Sequence, residues 1–106
     1  MPYLYLYHFD EPLAHASHYL GSTDNVLARL QRHRAGHGAR LTQVLTELGR
    51  TWKLAATYEI KPSAPLTTKE IERLAKGRHN ARQHCPLCNP NHTAPQWTRQ
   101  IPNPKE

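Results

Sequence analysis

The chain has 106 residues, which is enough for one domain with a single hydrophobic core. Its formal net charge is +6 with the histidines neutral, which favours a polyanionic partner such as nucleic acid, although a basic surface can also serve solubility alone. No apolar run approaches the roughly 18 residues of a transmembrane helix, and the N-terminus lacks the features of a secretory signal. We therefore expect a cytoplasmic protein that does not enter a membrane.

The first half of the chain predicts two strands followed by two helices. Tyrosine and leucine alternate over residues 3–7, and this period of two is typical of a strand. Residues 18–21 predict a second strand, joined to the first by a hairpin. Thr23 or Asp24 can cap the first helix. Apolar residues at helical spacing then predict a second helix, which ends at Gly49.

The second half predicts one more strand and one more helix. Apolar residues alternate from Trp52 to Ile60, and a helix follows with Ile71, Leu74 and Ala75 facing inward. Residues 89–106 lack periodicity, so we expect an extended or disordered tail after a domain that spans residues 1–88. The predicted fold class is α/β, with a three-stranded, mainly antiparallel sheet flanked by three helices in the order β-β-α-α-β-α.

Tyr19, Arg29 and His33 are candidates for phosphodiester chemistry. Arg29 and His33 are four residues apart, so they share one edge of the first helix, and Tyr19 lies on the strand that leads into it. A guanidinium can hold a phosphate oxygen, and a phenol or an imidazole can take a proton from water. Taken singly, each residue has a common structural explanation, namely a solvated arginine, a surface histidine and a core tyrosine.

The segment HYLGST resembles the second half of the GIY-YIG endonuclease signature, with Tyr19-Leu20-Gly21 in place of Tyr-Ile-Gly. That family places an arginine ten residues after this tyrosine and a histidine four residues further on, which are Arg29 and His33 here. The first half of the signature falls on Tyr3-Leu4-Tyr5, where a tyrosine replaces the glycine. The resemblance therefore assigns the first tyrosine of the signature to Tyr5, and Tyr7, on the same face of the strand, is the alternative.

The resemblance also implies a metal-binding glutamate on the third helix. Thr67 to Glu70 fits a capping box, which gives Glu70 a structural role. The segment from Glu72 to Cys88 is similar to that of a subset of small bacterial members, which carry Glu-Arg-x-x-Lys, an asparagine and then Cys-Pro-x-Cys. This similarity makes Glu72 the metal ligand and matches the lysine and the asparagine to Lys76 and Asn80. Glu59 is the third choice of ligand.

Basic residues flank the proposed cleft on both sides, as phosphate contacts require. A solvated basic face is the alternative explanation. One group surrounds the first helix, and the other follows Glu72. The residues expected to bind DNA are Arg32, Arg34, Arg40, Lys76 and Asn80, and the second group also contains Arg78 and Arg82.

Cys85 and Cys88 have the spacing of half a zinc site. Only two cysteines exist, so histidines must supply the other ligands, and the candidates nearby in sequence are His79, His84 and His92. A free reduced pair and a redox-active pair are the alternatives. The redox pair is the least favoured, because these cysteines follow a helix and precede a Pro/Asn-rich tail.

The resemblance predicts a DNA endonuclease that uses Mg²⁺ or Mn²⁺. In this interpretation Glu72 binds the metal, Arg29 binds the scissile phosphate, and Tyr5 or Tyr19 positions or deprotonates water with help from His33. Two alternatives belong to other classes of protein: a catalytically inactive nucleic-acid-binding module of the same fold, and a zinc-stabilised interaction module.

Overall fold

Four antiparallel strands form the sheet, in the order β2-β1-β3-β4. The computed structural model describes residues 2–14, 16–77 and 80–106, with only the backbone at position 80. Its elements, in chain order, are β1 (Tyr3–Leu13), β2 (Ala16–Thr23), α1 (Val26–Arg34), α2 (Arg40–Glu47), β3 (Trp52–Ile60), α3 (Thr68–Lys76), α4 (Asn80–Gln83) and β4 (Thr98–Ile101). None of the described helices is long and apolar enough to cross a membrane.

The alternating side chains of β1 point into two different cores, because helices cover both faces of the sheet. On one face, which we call the α1 core, aromatic rings pack under α1 and α2. On the other face, the α3 core, leucine, alanine and isoleucine side chains pack under α3 and α4. The α1 core contains Tyr5, Tyr7, Phe9, Val26, Leu30, Leu45 and Trp52, and the α3 core contains Leu4, Leu6, Leu20, Ala55, Ala56, Tyr58, Ile60, Ile71, Ala75 and Cys85.

The helix starts follow capping rules, with one correction. The predicted capping box of α3 is confirmed, since Thr67 and Glu70 exchange side-chain to backbone hydrogen bonds. The prediction that Thr23 or Asp24 caps α1 is wrong, because the Asn25 side chain accepts from the backbone N–H of Ala28 at 3.0 Å.

The packing of α3 departs from the prediction at a single position. Ile71 and Ala75 are buried as expected, but the Leu74 residue is 52% exposed. The inner face of α3 is therefore narrower than the sequence pattern indicated.

The fold class was predicted correctly, but the predicted three strands and three helices are too few. A fourth helix, α4, follows α3, and a fourth strand, β4, pairs with β3 inside the segment predicted as an extended or disordered tail. Beyond β4, the Asn103 amide donates to the backbone carbonyl of Leu54 and accepts from the hydroxyl of Thr57. Residues 98–101 thus extend the sheet, and Asn103 is held against β3 by its side chain. The division of the chain at residue 88 stays a prediction.

Candidate active site

The β1–β2 register brings the tyrosines of the signature onto one face of the sheet. Tyr5 lies opposite Gly21, and Tyr7 lies opposite Tyr19. The three rings form a cluster with His33 of α1, with centroid separations from His33 of 6.0 Å for Tyr5, 5.5 Å for Tyr7 and 5.9 Å for Tyr19. Three residues that the sequence proposed as catalytic, Tyr5, Tyr19 and His33, are therefore brought together.

Position 21 needs glycine because there is no room for a side chain, and not because of its backbone conformation. A Cβ built there would overlap the Tyr5 hydroxyl and would lie 2.6 Å from Tyr5 Cζ. Tyr5 is buried and cannot swing away. The glycine of the Tyr-Leu-Gly triplet is therefore the gap into which the end of the Tyr5 ring fits.

Tyr5 and Tyr7 are protonated phenols at neutral pH. Burial, and secondarily the neighbouring Tyr19, raises the pKa of Tyr5, although a hydrogen bond with Arg29 lowers it in part. Burial also raises the pKa of Tyr7, whose hydroxyl lies 2.6 Å from Nδ1 of His33. Tyr7 is therefore placed to orient His33 by hydrogen bonding, whereas Tyr5 lies close enough to Arg29 for the guanidinium to lower the pKa of its hydroxyl.

His33 is buried, although it lies at the helix edge that it shares with Arg29. Burial lowers its pKa to about 4, and the positive charges of Arg29 and Arg32 add to the effect. The imidazole is therefore neutral at physiological pH and is able to accept a proton. It is not sealed off, because His33 lines a pocket.

Arg29 lies between two adjoining pockets. The first, of about 250 Å³, is lined by Tyr19, Arg29, Arg32, His33 and Gly38. The second, of about 450 Å³, is lined by Arg29 together with residues from the end of β2 and the start of α3, namely Pro2, Ser22, Thr23, Asp24, Asn25, Thr68 and Lys69. Within the described part of the chain, Arg29 forms no ion pair with a carboxylate. Its guanidinium charge is therefore available to an anionic ligand.

Glu72 reaches the same region from the other face of the sheet. Its Oε1 accepts a hydrogen bond from the Ser22 hydroxyl at 2.6 Å, and its Oε2 lies 3.0 Å from Lys76 Nζ. Burial raises the pKa of Glu72, but the hydrogen bonds from Ser22 and Lys76 and the charges of Lys76 and Lys69 lower it further, so the net pKa lies below its usual value. Glu72 is therefore ionised at neutral pH.

The other glutamates of this region have structural partners. Glu70 closes the capping box of α3, and Glu59 pairs with Arg99 at 3.1 Å on the β3–β4 side of the sheet. Of these three carboxylates, only Glu72 contacts a residue that lines the pocket next to Arg29. Sequence reasoning missed its partner Ser22, although that serine directly follows Gly21 of the signature.

The basic residues proposed to bind DNA fall into different settings. Arg32 lines the first pocket beside Arg29, and Arg40 is exposed at the start of α2. Arg34 instead donates to the backbone carbonyl of Trp52 at 2.7 Å, lies over the Trp52 ring and pairs with Glu106. Its guanidinium is engaged in holding the fold, which argues against a role in DNA binding.

The second basic group lies partly outside the described residues. Lys76 is exposed, and its ammonium pairs with Glu72. Arg78 and the Asn80 side chain lie outside the described residues, so their expected roles stay predictions. The position of Lys76 at the carboxylate is compatible with a phosphate contact beside Glu72.

The histidines proposed to complete a site with Cys85 and Cys88 have other partners. Nδ1 of His84 faces the carbonyl of Thr93, and Nε2 of His92 lies 2.8 Å from Gln100 Oε1. His79 lies outside the described residues. The choice of His84 and His92 was wrong because it relied on nearness in sequence. The side chains that gather around the two cysteines are those of His8 and His18.

Comparison with known families agrees with this geometry. The family model described as GIY-YIG catalytic domain matches residues 2–84, which is most of the chain. The chain therefore belongs to the GIY-YIG family, whose members are nucleases that act on DNA. Comparisons with curated proteins and with solved structures gave no match.

Proposed function

We propose that this protein is a metal-dependent endonuclease that hydrolyses phosphodiester bonds in DNA. The observation that carries the proposal is the position of Arg29, which lies between the Tyr19–His33 pocket and the pocket beside Ser22 and Glu72. Among the described residues, no carboxylate pairs with it. A scissile phosphate bound to Arg29 would have a proton acceptor on one side and a carboxylate on the other. Groups of these kinds can activate water and stabilise the charge that develops when a phosphodiester is hydrolysed.

Glu72 fits the role of ligand for Mg²⁺ or Mn²⁺. Mg²⁺ is commonly held by one or two carboxylates together with water and substrate phosphate oxygens. Glu72 is ionised and, although mostly enclosed, keeps a side-chain exposure of 12%. A divalent cation bound there would polarise the phosphate and stabilise the leaving oxygen.

The protein's own residues divide the remaining work. Arg29 holds a non-bridging phosphate oxygen with its guanidinium N–H groups. The neutral His33 accepts a proton, and Tyr19, half-buried at the pocket, orients the attacking water. Tyr5, whose pKa is raised by burial and which lies near Arg29, acts as a positioning residue and not as a base.

The proposed DNA contacts follow from the same arrangement. Arg32 lies beside Arg29 in the first pocket, and Arg40 and Lys76 are exposed. Such residues bind the phosphate backbone and read little sequence. We expect DNA affinity that falls steeply with salt concentration.

A plasmid-nicking assay with Mg²⁺, Mn²⁺ or EDTA tests the proposal. Glu72→Gln should slow nicking by about 100-fold or more, because metal-ion stabilisation of a transition state is worth several kcal/mol. The matched control is Glu59→Gln, which removes a carboxylate paired with Arg99 on the opposite side of the sheet and should leave the rate unchanged.

Two results would overturn the assignment. If Glu72→Gln nicks DNA at the wild-type rate, Glu72 is not the metal ligand. Wild-type protein that binds DNA without metal-dependent cutting would favour a non-catalytic binding module of the same fold.

A further inference from the structure

His8, His18, Cys85 and Cys88 form a compact cluster on the α3 side of the sheet, at the last regular pair of the β1–β2 ladder before the hairpin turn. One donor atom from each residue lies within 4.8 Å of the others. Both cysteines are free thiols. None of these residues lines the pockets on either side of Arg29. We propose that the cluster is a structural Zn²⁺ site, separate from the nuclease centre.

The separations between donor atoms match the edges of a zinc tetrahedron. Zn–N bonds near 2.0 Å and Zn–S bonds near 2.3 Å imply N···N edges of about 3.3 Å and N···S edges of about 3.5 Å. His8 Nδ1 lies 3.4 Å from His18 Nε2. Cys88 Sγ lies 3.4 Å from His8 Nδ1 and 3.3 Å from His18 Nε2, and Cys85 Sγ lies 3.8 Å from His8 Nδ1. One zinc ion therefore fits between the four donors.

The backbone holds each pair of ligands in place. His8 and His18 are direct cross-strand partners in the β1–β2 ladder, so their rings project from the same face. Cys85 and Cys88 belong to a tight turn in which the Cys85 carbonyl accepts from the N–H groups of Cys88 and Asn89. Ser17 Oγ lies 3.0 Å from Nδ1 of His18, which engages that nitrogen and directs Nε2 to the cluster.

The donor set selects the metal and its role. Two thiolates and two imidazoles favour Zn²⁺ over the hard cations Mg²⁺ and Ca²⁺. Four protein ligands leave no open position for water, which is the pattern of a structural site. His18 and Ser22 are four residues apart on β2, or about 13 Å along the strand, so zinc here and the metal at Glu72 are different ions.

A zinc ion at this position would bind the segment after α4 to the hairpin that carries the signature tyrosines. Cys85 is buried in the α3 core, whereas His8 and His18 form the last regular pair of the β1–β2 ladder before the hairpin turn. The ion would add a cross-link between residues about 70 positions apart, as the contact between His18 and Cys88 shows. We expect zinc to stabilise the fold and to leave the chemistry at Glu72 unchanged.

Metal analysis of the purified protein is the direct test. Wild type should carry about one zinc per chain, and Cys88→Ser or His18→Ala should lower the content to below about 0.1, because each removes one of four ligands. His92→Ala is the matched control, since His92 bonds Gln100 outside the cluster, and it should keep its zinc. The variants are measured without added Mg²⁺, so the result does not depend on nuclease activity.

Cobalt titration keeps the test decisive if the variants do not fold. Chelator-treated wild type should bind about one Co²⁺ and show the intense visible absorption of a tetrahedral site together with thiolate-to-cobalt charge transfer. Zinc added afterwards should abolish this spectrum and protect both cysteines from alkylation. Wild type that carries no zinc and gives no such spectrum would overturn the proposal, as would a stoichiometric content of iron.

Discussion

Gly21→Ala should destabilise the protein through a clash with a single ring. The added Cβ would lie 2.6 Å from Tyr5 Cζ, whereas ordinary contact begins at 3.4 Å, so about 0.8 Å of movement is needed. Tyr5 packs against Tyr7 and Tyr19, with centroid separations of 5.0 and 6.1 Å, and cannot yield freely. Overpacking of a tight core costs about 1–3 kcal/mol.

Urea unfolding measures this cost, and a double-mutant cycle assigns it to Tyr5. Tyr5→Phe alone should cost about 1 kcal/mol, the usual contribution of one buried polar group that has a partner. In the Gly21→Ala background the same change should cost less or should stabilise, because it removes the atom that overlaps most closely. The lost stability should be recovered only in part, because the Cζ atom of the ring remains too close to the added Cβ.

Some outcomes of these measurements would contradict this explanation. A Gly21→Ala protein within about 0.5 kcal/mol of wild type would refute the steric argument. If the unfolding free-energy changes of the two single variants add up to that of the double variant, the cost arises somewhere other than Tyr5. Nicking by Gly21→Ala should also be slower at equal folded fraction, because a displaced Tyr5 no longer orients Arg29.

Three further predictions concern α1. Arg29→Ala should slow nicking by about 100-fold, as loss of a transition-state donor does. Arg34→Ala should instead lower the free energy of unfolding and leave the nicking rate per folded molecule unchanged. Equal nicking rates for the two variants would contradict their separate roles. The unfolded state takes up a proton at His33 below pH 6.5 and the folded state only near pH 4, so wild type should lose about 2 kcal/mol at this residue between pH 7 and pH 5. His33→Gln should lack that part of the loss in urea unfolding, and an unchanged pH dependence would contradict a buried neutral His33. Asn25→Ala should cost about 1 kcal/mol through loss of the N-cap, whereas Asp24→Ala should cost little, and the reverse order would restore the original cap prediction.

Local patterns were sufficient for the elements that carry the nuclease residues. The Tyr/Leu alternation of β1 and the helical spacing of Arg29 and His33 each depend on neighbouring residues alone. The sequence therefore predicted the strand and the shared helix edge. The capping box at Thr67 identified the start of α3 and separated Glu70 from Glu72 for the same reason.

Features that depend on tertiary contacts could not be predicted from the sequence. β4 has no apolar alternation of its own, because it lies at the sheet edge and is held by pairing with β3. His8 and His18 are about 70 to 80 residues from the cysteines, and the hairpin register places the two histidines together. Burial of His33 likewise depends on Tyr7, which lies 26 residues away.

The proposed site is assembled across the edge of a sheet that separates two cores. Arg29 and His33 belong to α1, over one core, whereas Glu72 belongs to α3, over the other, and β2 is the edge strand beside both. A substitution that loosens one layer should therefore weaken one kind of ligand binding and spare the other. The direct contacts to phosphate and to metal are thus supported by different layers of the fold, and the bound phosphate is what links them.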